Sequence, residues 1–62
     1  MKKEYVIAHS EAEALLLAKE SVSFENKDDA DFMFARAKDH DDSIKMYRAD
    51  IEGDSIEVVE CE

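Results

Sequence analysis

The chain contains one glycine and no proline, and the glycine sits between two segments that read as strands. Gly53-Asp54 fits a two-residue hairpin turn with glycine in first place, where a positive φ costs nothing. The flanking strands are then residues 44–52 and 55–61. That turn fixes a register in which Ile51 opposes Ile56 and Ala49 opposes Val58 on one face. Tyr47 lies on the same face, opposite Glu60. Ile44 and Met46 fall on the other face, so either a bulge intervenes or that face is partly covered.

Three further elements precede the hairpin. Residues 4–8, Glu-Tyr-Val-Ile-Ala, form a short strand pattern. Ser10 followed by Glu13 is a capping box, with the hydroxyl accepting from a backbone N–H three residues on and the carboxylate reaching back. The helix it starts is expected to run to about residue 22. At ~100° per residue, Ala14, Leu15, Ala18 and Val22 share a side, with Leu17 at its edge. Residues 24–27 read as a connection. Asn26 or Asp28 caps a second helix whose first turn carries Asp28, Asp29 and Asp31, where the dipole favours anions. Ala30, Met33, Phe34 and Ala37 share its apolar face, and Asp39, Asp41 and Asp42 end it. The expectation is one α+β domain over residues 1–62, ordered strand, helix, helix, strand, strand. Its three-stranded sheet carries both helices on one face.

A chain of 62 residues buries a thin core. Cys61 is the one cysteine, so no internal disulfide forms, which points to a reducing compartment, most simply a cytoplasm. No apolar run approaches the ~20 residues that cross a bilayer, and the first residues lead into no signal-peptide core, so a soluble protein is expected.

Charge narrows the partners. Seventeen acids stand against eight Lys and Arg, a formal net charge of −9. That field repels nucleic-acid phosphates and anionic lipid, and attracts basic proteins, including those whose own ligand is nucleic acid. The plainer reading is that the acids keep a small protein soluble.

The chemistry of catalysis is thinly represented. His9 and His40 are the only histidines, and no nucleophile, base and orienting group stand out together. Acids starting at Asn26 put Asp31 sixth and Ala37 twelfth in a calcium loop; starting at Asp39 they put Ile44 and Asp50 there. Neither fits the glycine and glutamate that loop requires. His9, His40 and Cys61 are too few for a structural zinc site. No phosphate-cradling loop or dinucleotide fingerprint is present. The expectation is a protein without catalytic activity, metal or cofactor.

Surfaces remain. Leu16 points away from the apolar side of the first helix, and Phe32 away from that of the second, beside Arg36 and Asp39. Large apolar side chains on polar faces are candidate anchors for a partner, unless each helix buries a wider arc. Glu25, Asp28, Asp29 and Asp31 cluster in one loop and helix turn, with Asp39, Asp41 and Asp42 at the far end. Carboxylates spread over a rigid surface can occupy a groove that normally holds phosphates; they can equally form a solvated face.

Tyr5-Val6-Ile7-Ala8 running into Ser10-Glu11-Ala12-Glu13-Ala14-Leu15, a capped helix ending near Ala18, resembles very small phage-encoded inhibitors. These are the phage inhibitor of bacterial RNA polymerase and several anti-CRISPR proteins. The resemblance spans about a third of the chain and carries over no functional residue. It implies stoichiometric blockade of a bacterial nucleic-acid machine, sometimes by acidic mimicry of DNA. The leading expectation is therefore an inhibitory binding protein that occludes a basic surface of a bacterial protein or nucleoprotein complex. A structural or regulatory homodimer, closed through a sheet edge or the Phe32 face, is the alternative.

Overall fold

A computed structural model describes residues 1–61 and shows an α+β fold. Its elements follow in the order β1 (Lys2–Ala8), α1 (Glu11–Lys19), α2 (Lys27–His40), β2 (Lys45–Glu52) and β3 (Ser55–Glu60). The three strands form an open antiparallel sheet in the order β1-β2-β3. The hairpin register is the one Gly53 dictates, with Ile51 opposite Ile56, Ala49 opposite Val58 and Tyr47 opposite Glu60. Gly53 has a φ of +58°, and it alone in the turn has a positive φ. β1 starts two residues earlier than its β-branched run, because Lys2 and Lys3 pair with Ile51 and Asp50.

The core lies on the face of the sheet that presents Val6, Ala8, Tyr47 and Ala49, under Ala14 and Ala18 of α1. Leu17, Ile51, Ile56 and Val58 pack around it. Four of the six buried residues are alanines, which lets the helix lie close to the strands and leaves little room for adjustment. The Ser10 Oγ accepts from the Glu13 N–H at 3.1 Å, as the capping box requires. The Glu13 carboxylate takes its bond from the His9 N–H at 2.9 Å, one residue before the cap.

α1 ends at Lys19, earlier than its apolar spacing implies. Ser21 adopts a φ of +62°, its N–H bonds to the Ala18 carbonyl, and the Val22 N–H bonds to the Leu17 carbonyl. This is the Schellman closure, with serine where glycine is usual. Val22 is thereby taken off the helix and left exposed, so it does not join the Ala14–Ala18 side. The turn sends the chain back along β1, where Phe24 and Tyr5 exchange N–H···O bonds of 2.8 Å on the outer edge of that strand. A segment with no strand signature of its own thus closes part of one sheet edge.

The Asn26 Oδ1 caps α2, accepting from the N–H groups of Asp28 and Asp29. The placement of α2 departs from the expected single helical layer. α1 packs across all three strands, while α2 packs chiefly on β1. Ala30 of α2 is fully buried yet stands outside the core cluster. Met46, also buried, faces away from Tyr47 by strand alternation, as does Cys61, whose N–H bonds to the Met46 carbonyl. Lys27 and Asp31 of α2 stand close enough to Cys61 to act on its thiol, and the Lys38 Nζ donates to the Ile44 carbonyl at 3.1 Å. α2 therefore covers the β1 side of the second sheet face. The physical reason is space: α1 already spans the first face. No bulge is needed to account for Met46; the covering helix does so.

Candidate functional site

Phe32 is 62% exposed on the outward side of α2, and Leu16 is 56% exposed on the outward side of α1. Because the two helices cover opposite faces of the sheet, these side chains point away from each other. One interface cannot use both. Phe32 is the better surrounded. Its ring lies 5.8 Å from the guanidinium carbon of Arg36, one helical turn on, a cation–π contact that holds both side chains on the surface. Met33 and Ala35 beside it are exposed too. Helical spacing puts Asp28, Asp29 and Asp39 on the same stripe.

The expected acids divide into two kinds. Glu25 pairs with Lys2 at 3.2 Å, and Asp31 with Lys27 at 3.0 Å, so each is partly neutralised. Asp28, Asp29, Asp39 and Asp42 are exposed and form no ion pair among the described residues. Asp41 is not a free surface acid. It is the C-cap of α2, half-buried, and accepts bonds from the Ser43 N–H and O–H and from the His9 ring. The Ser43 hydroxyl, then the His9 imidazole, lower its pKa to about 2.

His9 is the feature that spacing did not reveal. Its Nδ1 lies 2.9 Å from the Glu13 carboxylate and its Nε2 lies 2.7 Å from the Asp41 carboxylate. With a carboxylate acceptor at each nitrogen, the protonated ring is favoured: its hydrogen bonds to Asp41, then to Glu13, raise its pKa. The residue ties the β1–α1 junction to the end of α2. Separated by 32 positions, His9 and Asp41 share no sequence signal that could have paired them. The Ser43 hydroxyl donates to Asp41 and not to a ring nitrogen, so the trio does not set a base beside a nucleophile.

On the core face, Glu4 is nearly buried and its carboxylate accepts from the Ser23 hydroxyl and from Lys2 at 2.9 Å. The hydroxyl bond, then the Lys2 bond, hold its pKa below the usual range. Arg48 grips Asp50 through two bonds of 2.9 and 3.0 Å on the half of the second face that α2 leaves open. No group of three or more His, Cys, Asp or Glu among the described residues is arranged to hold a metal ion. No helix among them is long and apolar enough to cross a membrane.

Comparison with protein-family models, with curated proteins and with solved structures finds no match to this chain.

Proposed function

We propose that this is an inhibitory binding protein that acts by covering a basic surface on another protein. The observation that carries the reading is Phe32, which stands exposed on α2 in a stripe with Asp28, Asp29 and Asp39, acids with no ion pair among the described residues. An exposed aromatic ring supplies the apolar anchor, and the carboxylates around it meet Lys or Arg of the partner. The target class is a bacterial nucleic-acid-handling complex such as a CRISPR effector, a polymerase or a restriction enzyme. In such a groove, rigidly held carboxylates take the place of phosphates. The net charge of −9 and the resemblance of the first strand and helix to small phage inhibitors support that target class.

The test is retention of basic proteins from bacterial lysate on the immobilised protein and on its Phe32→Asp variant, at low and raised salt. Binding through this face predicts a protein retained by the first, lost from the second, and released by salt. A second reading, a homodimer, draws on the outer edge of β3, which pairs with no other strand among the described residues, against the like charges two copies would bring there; sedimentation at micromolar concentration separates it.

A further inference from the structure

The two edges of the sheet are finished differently. The outer edge of β1 is partly closed by Phe24, whereas β3 has no neighbour beyond it among the described residues. The Cys61 N–H bonds to the Met46 carbonyl, so by antiparallel alternation Cys61, Val59, Glu57 and Ser55 turn their backbone groups toward β2. The N–H and C=O groups of Ile56, Val58 and Glu60 therefore face outward, with no backbone partner among the described residues. Hollows of about 350 and 320 Å³ adjoin this strand. One runs between α1 and the edge, over Leu15, Ile56, Val58 and Val59 with Glu11 and Glu57 at its rim. The other lies against Met1, Asp50, Glu52, Ser55 and Glu57. Neither is lined by a Lys or Arg.

We infer that the β3 edge is a docking site for an extended segment of a partner protein in which apolar residues alternate with Lys or Arg. Added as a fourth strand, the segment takes up the free backbone groups of Ile56, Val58 and Glu60. Residues directly opposite Ile56 and Val58 share their side of the sheet and rest over Leu15. The alternate residues fall on the other side, where Glu57 and Glu52 meet a positive charge. A second copy of the chain fits poorly, because each copy brings a net charge of −9 and its own Glu57 and Glu60 to the seam. The site lies at the opposite edge of the sheet from α2 and stands independently of the Phe32 face.

The probe is a synthetic peptide of about eight residues alternating Val and Lys, titrated into isotope-labelled protein and followed by amide resonances. Shifts and slowed hydrogen exchange confined to Ile56, Val58 and Glu60 and their neighbours are expected. A peptide N-methylated at alternate positions, which cannot pair, leaves them unmoved. Glu57→Lys, an exposed substitution that spares the core, weakens binding by about fivefold, the scale of a cross-strand charge pair turned repulsive. Three results overturn the inference: no shift at those amides up to about 1 mM peptide, equal binding of the methylated peptide, or a concentration-dependent dimer that protects the same amides without peptide.

Discussion

Val6 offers a direct test of where the core lies. It is fully buried on β1, opposite Tyr47 and within the cluster that α1 closes. Val6→Ala removes two methyl groups, worth ~1.6 kcal/mol of transfer free energy at ~0.8 each. A methyl-sized void of ~50 Å³ adds ~1 kcal/mol at ~24 cal/mol per Å³ if the neighbours stay put. They have little freedom to move, since most of the surrounding core residues are alanines that cannot change rotamer. The loss is therefore ~2–3 kcal/mol, against a total of ~3–9 kcal/mol for a domain of this length. The same substitution at Val59, 45% exposed on β3, provides the control and costs under ~1 kcal/mol. Urea unfolding followed by far-ultraviolet circular dichroism measures both. Equal losses at Val6 and Val59 would refute the assignment of the core to the α1 side of the sheet.

Three further outcomes follow from the same geometry. Ser21→Gly relieves a left-handed serine at the close of α1 and raises stability by ~0.5–1 kcal/mol, read from the urea midpoint at unchanged slope. Phe32→Ala changes stability by less than ~0.5 kcal/mol, because the ring is mostly exposed; a loss above ~2 kcal/mol would show it to be a structural residue. The His9 clamp depends on pH in both directions. His9 has a raised pKa, so its contribution is complete below the ordinary imidazole range and is lost as pH rises through the raised value. Asp41 and Glu13 have lowered pKa values, so theirs is present above the ordinary carboxylate range and is lost as pH falls, for Asp41 toward about 2. The Tm difference between the protein and His9→Gln should thus be greatest between the ordinary carboxylate and imidazole ranges and shrink as pH rises past the imidazole range. A difference that grows with alkalinity contradicts the clamp.

Local chemistry made much of this fold legible. The Gly53 turn set the β2–β3 register residue by residue; Ser10 marked the first helix start, and the second was narrowed to Asn26 or Asp28, of which Asn26 is the cap. What was hidden depends on residues far apart in the chain. The helices take opposite faces because α1 fills one of them, and Ile44 and Met46, placed on the other side from Tyr47 and both buried, were the trace of that in the sequence. Val22 fits the helical period but lies beyond a left-handed serine, a conformation that serine does not advertise. Phe32 and Leu16 stood out as apolar residues on polar faces, and both are exposed; that they point in opposite directions follows from the layers, not the spacing. Asp41 looked like one more surface acid until His9, brought up from the end of β1, met it.

If the outward face of α2 engages a basic protein surface, retention must depend both on Phe32 and on the acids beside it. The most direct measurement compares proteins retained from bacterial lysate by the native chain, by Phe32→Asp, and by a variant with Asp28 and Asp29 changed to Asn. The expected result is a basic, nucleic-acid-handling protein that the native chain holds at low salt, that raised salt releases, and that both variants fail to hold. The same proteins held equally by all three, at either salt concentration, would contradict it.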